Sequence, residues 1–141
     1  MTRAGCYPGS FNPLTVAHLA VAEAARHAAA LDRVDLVLSR DALGKDEVAD
    51  DELDRRLALL RSATAAHDWL GVTLTDHRLI VDIAQGYDVV VMGADKWRQV
   101  NDPRWYPDTA ARDAAVARLP RLLVAPRGDD EPDDVELLDL D

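Results

Sequence analysis

The sequence predicts an α/β fold: a doubly wound parallel sheet of about five strands with helices on both faces. Three observations predict it. Short apolar runs recur along the 141 residues, separated by segments of helical length. The run Asp88-Val89-Val90-Val91-Met92 is nearly all apolar, as a strand covered on both faces requires. Glycines follow the first such run and this one, at Gly9 and Gly93, where the chain turns toward a helix.

The elements follow in order. Residues 3–7 read as a first strand. A helix begins near Thr15 or Val16 and ends near Leu31, rich in alanine, which favours helix and close packing on a sheet. Val34 to Leu38 reads as the second strand, and Ser39 to Ala49 as an irregular polar loop. Residues 50–67 read as the second helix, because Leu53, Leu57, Leu60 and Thr64 share one face. Val72 to Thr75 is a short third strand, and 78–85 a short helix closed by Gly86. After the strand 88–92, one helix is expected from Gly93-Ala94-Asp95 onward, then a strand from Leu119 to Ala125. Val135 to Leu140 suits an edge strand. No repeat or linker divides the chain, so residues 1–141 are expected to form a single domain with an acidic tail from about 128.

Composition narrows the function. The formal net charge is −10, which disfavours binding to a nucleic-acid backbone. Residues 127–141 hold one Arg and eight Asp/Glu and so contribute −7 of the −10, which leaves the rest of the chain near −3 and room for a local basic pocket. No apolar run reaches the length of a membrane span, and no secretion signal stands at the start, which makes the cytoplasm the expected location. The single cysteine, Cys6, lies within the first apolar run and reads as a buried small side chain. His27, His67 and His77 have no zinc-ligand spacing and read as structural or surface residues.

The chemistry concentrates in Gly9-Ser10-Phe11-Asn12-Pro13-Leu14-Thr15-Val16-Ala17-His18. A strand, a Gly/Pro turn and a helix N-terminus make an anion site from exposed N–H groups and the helix dipole. Gly9 permits close approach of backbone to ligand, and Ser10 offers a hydroxyl and an N–H. Thr15 suits a helix cap. His18, three residues on, shares its side of the first turn and can donate a hydrogen bond to a phosphate oxygen. The segment is neither a Walker loop nor a dinucleotide fingerprint.

The run Gly9 to Leu19 resembles the first signature of the nucleotidylyltransferase superfamily, a G-[ST]-F-[DN]-P loop followed by [HT]-x-G-H, here Thr15-Val16-Ala17-His18 with Ala17 at the usual glycine. Val89 to Asp95 resembles the strand and G-A-D signature of the nicotinate-nucleotide adenylyltransferase branch, and Trp105-Tyr106 the aromatic segment after it. The resemblance implies a Rossmann-like nucleotidylyltransferase fold. It also implies AMP transfer from ATP, with Mg²⁺, to nicotinate mononucleotide, releasing pyrophosphate. By similarity, Gly9, Ser10, Phe11, His18, Gly93, Asp95 and Arg127 are expected at the nucleotide, and His18, Thr15 and Lys45 at the reacting phosphates. Trp105 is expected to stack on the pyridine ring; the bland alternatives are Asp95 as a helix cap and Trp105 filling a surface groove. Arg56 is expected to support the loop before it by pairing with an acidic residue.

The superfamily continues into an I-S-S-[ST]-x-x-R segment that grips the departing pyrophosphate. The sequence reaches Asp141 without one, so a truncated chain, one completed by a partner and a degenerate relative all stay open. Arg127 is the candidate substitute. Two other readings remain: a nucleotide-binding or structural relative without turnover, and another transferase such as a phosphopantetheine adenylyltransferase or a cytidylyltransferase. Self-association is compatible with the sequence, but no stripe of residues specifies an oligomer.

Overall fold

A computed structural model describes residues 2–11, 13–40, 50–129 and 131–140. Its strands are β1 (Ala4–Pro8), β2 (Arg33–Ser39), β3 (Leu70–Thr75), β4 (Val89–Gly93), β5 (Arg121–Ala125) and β6 (Glu136–Leu137). Its helices are α1 (Val16–Ala29), α2 (Asp50–Thr64), α3 (Ile80–Ile83), α4 (Ala94–Asn101) and α5 (Thr109–Ala117), with a one-turn 3-10 helix at Pro103–Trp105. The strands form one sheet in the order β3-β2-β1-β4-β5-β6, and every neighbouring pair is parallel. This is the doubly wound α/β arrangement the sequence predicts, with β6 as a sixth, two-residue strand.

Alternation along each strand feeds two cores. Val89 and Val91 join Val34, Leu36 and Leu38 on the face covered by α1 and α2. Val90 and Met92 join Cys6, Val37 and Val124 on the face covered by α3 and α4. A strand with both faces buried must be apolar at every position, which is why 89–92 reads as it does. The α2 stripe is also as predicted: Leu53, Leu57, Leu60 and Thr64 are all buried.

The helix after β4 differs from expectation. It is two helices, because Pro103 and Pro107 remove backbone donors and force the 3-10 turn between α4 and α5. α1 stops at Ala30, which adopts a left-handed conformation (φ 52°) and donates back to Arg26 and His27 carbonyls. The tail is not merely solvated: Leu138 is buried, and its N–H donates to the Val124 carbonyl at 2.9 Å. No described helix is long and apolar enough to cross a membrane.

One buried polar cluster stiffens the sheet. Asp35 of β2 accepts from the Tyr87 hydroxyl at 2.7 Å and from Arg33 Nε at 3.0 Å. Its neighbour across the β3 ladder is Gly71, where a Cβ would stand 2.6 Å from Asp35 Oδ1. The carboxylate occupies the space a side chain on β3 would need. On the other side Asp35 pairs with Cys6, whose thiol burial pushes up to about 12, favouring the protonated form.

Candidate active site at the strand carboxyl ends

The sheet order reverses direction between β1 and β4, the point at which α/β folds open a crevice beyond their strand ends. Gly5 is in register with Val89 and Cys6 with Val90, so Gly9 and Gly93 leave the same end of the sheet.

The turn after β1 is built around Phe11. Its backbone is left-handed (φ 45°) while its ring is buried. The ring meets Tyr7 edge-on at 5.2 Å and His18 at 5.1 Å between centroids. A Cβ on Gly9 would stand 2.9 Å from the tip of that ring. The close approach that demands glycine here comes from the chain's own phenylalanine. The Gly9 N–H is also engaged, donating to the Val37 carbonyl at 3.1 Å.

Thr15 caps α1 from an extended conformation (φ −120°, ψ 166°). Its Oγ1 accepts from the His18 N–H at 3.4 Å, and its own N–H donates to His18 Nδ1 at 3.0 Å. This is a capping box with histidine in the place usually held by Glu or Gln. An N–H can only donate, so Nδ1 must carry a lone pair. The ring proton then sits on Nε2. Burial of the ring holds the His18 pKa below its ordinary value, which favours the same neutral form. The cap thus presents a neutral imidazole with a fixed Nε2–H donor.

At the second strand end, Gly93 is the N-cap of α4 and makes no side-chain capping bond. A Cβ there would meet nothing within 4 Å, so the space before α4 is open. Asp95 does not cap the helix. It accepts from Arg127 NH1 at 2.6 Å, an exposed pair that ties the start of α4 to the chain leaving β5. Two residues expected at one nucleotide meet each other.

A pocket beyond β1 and β2 is lined by Gly9 and Ser10 and by the apolar Tyr106, Ile80, Ile83 and Val100. Arg56, Arg78 and Lys96 also line it. Arg56 Nε donates to Glu52 at 3.0 Å, a pairing within α2; residues 41–49 of the loop it is expected to support lie outside the described residues. Tyr106 is fixed by a 2.8 Å bond from its hydroxyl to the Val100 carbonyl. Trp105 does not line this pocket. It faces a neighbouring recess with Asp76, His77 and Asp82, its ring beneath the Arg104 guanidinium at 4.5 Å. Lys45 and Asn12 lie outside the described residues. Sequence reasoning missed Arg78 and Lys96 as pocket residues, and of the aromatic pair Trp105-Tyr106 it singled out Trp105, whereas Tyr106 lines the pocket.

The family model described as Cytidylyltransferase-like matches residues 6–120, from β1 through the Gly9 turn to the edge of β5. The chain belongs to the cytidylyltransferase-like family. It is a nucleotidylyltransferase-like protein of α/β fold. A probable nicotinate-nucleotide adenylyltransferase of Bordetella pertussis is 30% identical over 143 aligned positions, covering 89% of this chain and 69% of that one. One of Trichlorobacter lovleyi is 40% identical over 63 residues, which span 45% of this chain and 30% of the relative. In structure, the chain is similar to Plasmodium falciparum nicotinic acid mononucleotide adenylyltransferase complexed with NaAD. The TM-score is 0.64 at 14% identity, covering 95% of this chain and 69% of that one. That likeness establishes the fold, and the sequence relatives carry the family.

Proposed function

We propose that this chain transfers AMP from ATP to nicotinate mononucleotide. A phosphate oxygen of the acceptor attacks the α-phosphorus of ATP, the bond from that phosphorus to the β-phosphate bridge breaks, and pyrophosphate leaves. The observation that carries the proposal is the Thr15–His18 capping box at the N-terminus of α1, which holds a neutral Nε2–H donor where the helix dipole favours an anion. No covalent intermediate is needed. Catalysis consists of aligning two phosphates and stabilising the charge that builds between them.

In this reading His18 donates to the α-phosphate as charge develops, and Ser10 and Thr15 orient the phosphates. Lys45 is assigned charge neutralisation through the family signature. Gly93, with open space before α4, admits the nucleotide, and Arg127 turns from Asp95 to the departing phosphates. Mg²⁺ accompanies ATP. Its charge would offset that of the triphosphate. The Bordetella and Plasmodium proteins support the acceptor by their names.

The test is pyrophosphate release with ATP or CTP against nicotinate mononucleotide, nicotinamide mononucleotide and phosphopantetheine. ATP with nicotinate mononucleotide is expected to turn over fastest, and His18→Ala to abolish it. Normal turnover in His18→Ala rejects the mechanism. Preference for another acceptor rejects the substrate. Nucleotide binding without pyrophosphate release rejects the activity itself.

A further inference from the structure

The capping box holds the His18 ring by one edge. Nδ1 accepts from the Thr15 N–H at 3.0 Å and lies 3.1 Å from Thr15 Oγ1. Nε2 stands across the ring from both contacts, so a tilt about them displaces Nε2 most. Two other rings oppose that tilt. Phe11 meets the imidazole at 5.1 Å between centroids and 80° between planes, and Tyr7 meets it at 6.3 Å and 62°. Phe11 and Tyr7 pack perpendicular to each other at 5.2 Å. The three rings close a triangle of edge-to-face contacts, the arrangement their quadrupoles favour. Phe11 and Tyr7 are both buried, and Gly9 closes on the Phe11 ring tip from behind. Phe11 reaches this place from a left-handed backbone, φ 45°. That region disfavours a bulky side chain and persists where the surroundings over-determine it. The strain adds nothing to the cap, which needs only Thr15 and an acceptor three residues on. It delivers a ring to the imidazole.

We propose that Phe11, backed by Tyr7 and Gly9, is a positioning residue that holds the His18 imidazole in the orientation that aims Nε2–H at the reacting phosphate. Its ring acts through His18 and needs no contact with substrate. Packing the rings together also keeps water from the imidazole, in line with burial as the cause of its lowered pKa. Tyr7 is the titratable ring in the triangle. Burial pushes its hydroxyl up to about 12, so it places no charge beside His18 near neutral pH. The consequence for turnover rests on the adenylyl-transfer reading, and the orientation rests on the ring geometry alone.

NMR on the full chain without ligand tests the orientation, and steady-state kinetics test its use. In the parent, nuclear Overhauser contacts are expected between the ring protons of Phe11 and His18. Phe11→Leu keeps an apolar side chain and removes the ring. Its His18 midpoint is expected to rise toward 6.5. Its kcat is expected to fall roughly ten- to a hundredfold, the scale of a misplaced group, with KM within about twofold of the parent. Tyr87→Phe, which loosens the Asp35 cluster instead, controls for lost stability and is expected to leave midpoint and kcat at the parent values. Gly9→Ala sets a methyl against the Phe11 ring; it is expected to shift the His18 ring signals, and not to do so in a Phe11→Leu background. Absence of the Overhauser contacts, an unchanged midpoint in folded Phe11→Leu, or an equal rise in Tyr87→Phe would each overturn the positioning role. If Phe11→Leu does not fold, the parent contacts and the Gly9→Ala shift decide it. A Phe11-dependent midpoint in a parent that releases no pyrophosphate keeps the positioning and rejects adenylyl transfer. Normal turnover in the parent with kcat unchanged in Phe11→Leu does the reverse.

Discussion

The ring of Phe11 occupies the space in which a side chain on Gly9 would begin: an ideal Cβ there lies 2.9 Å from the ring tip. The ring has nowhere to retreat, since Tyr7 and His18 press on it edge-on. Gly9→Ala is therefore expected to cost about 1–3 kcal/mol, the range for overpacking a filled site. The loss should shrink in a Phe11→Ala background, because the two residues share one volume. Thermal melts of the four combinations measure it, and an unshifted midpoint for Gly9→Ala would refute the packing argument.

The capping box makes His18 sensitive to acid. Its folded pKa lies below the ordinary 6.5, so just under that pH the folded chain binds fewer protons than the unfolded chain. Stability from this group is complete above 6.5 and is lost as pH falls through the lower, folded value. Protonating Nδ1 also breaks the bond from the Thr15 N–H. Activity is expected to hold from pH 8 down to 6.5 and then decline. An imidazole NMR titration should place the His18 midpoint below 6.5; a midpoint above it contradicts the assigned tautomer.

Thr15→Ala removes the oxygen that accepts the His18 N–H. A loss of about 0.5–2 kcal/mol is expected, as for other N-caps. Combining it with His18→Ala should cost less than the sum, since each variant alone removes the 3.1 Å contact between Thr15 Oγ1 and His18 Nδ1. Additive losses in urea melts would show the two bonds to be independent.

The Asp95–Arg127 pair is exposed, so Asp95→Asn is expected to change stability by less than about 1 kcal/mol. Its effect should fall on anion binding. With its carboxylate partner gone, Arg127 is expected to bind tripolyphosphate more tightly, with a gain that fades at high salt. Unchanged binding at low salt would separate Arg127 from the phosphates.

Asp35 is a buried carboxylate with two donors. Tyr87→Phe removes one of them and is expected to destabilise the chain by roughly 1–3 kcal/mol, the penalty for an unsatisfied buried polar group. Melting in urea would measure it, and a neutral effect would mean that Arg33 alone suffices.

The fold was legible wherever burial imposes a period. Leu53, Leu57 and Leu60 mark the inward face of α2, and Val89 to Met92 must be apolar because both faces of β4 are covered. The split between α4 and α5 was visible as Pro103 and Pro107, whose consequence for the helix went unread. The Thr15–His18 relationship followed from spacing, since three residues is one helical turn. The cationic lining of the pocket was not legible. Arg56, Arg78 and Lys96 are scattered along the chain and line one pocket because the segments after β2, β3 and β4 all leave the carboxyl end of the sheet. Nor does adjacency reveal which of Trp105 and Tyr106 enters the pocket, because backbone direction at the end of the 3-10 turn decides it.

That turn has a further consequence. Trp105 and Tyr106 are chain neighbours that face separate hollows, and Arg78 with Leu79 stands as the partition between them. A change in the bulk of Arg78 or Leu79 therefore alters both hollows at once.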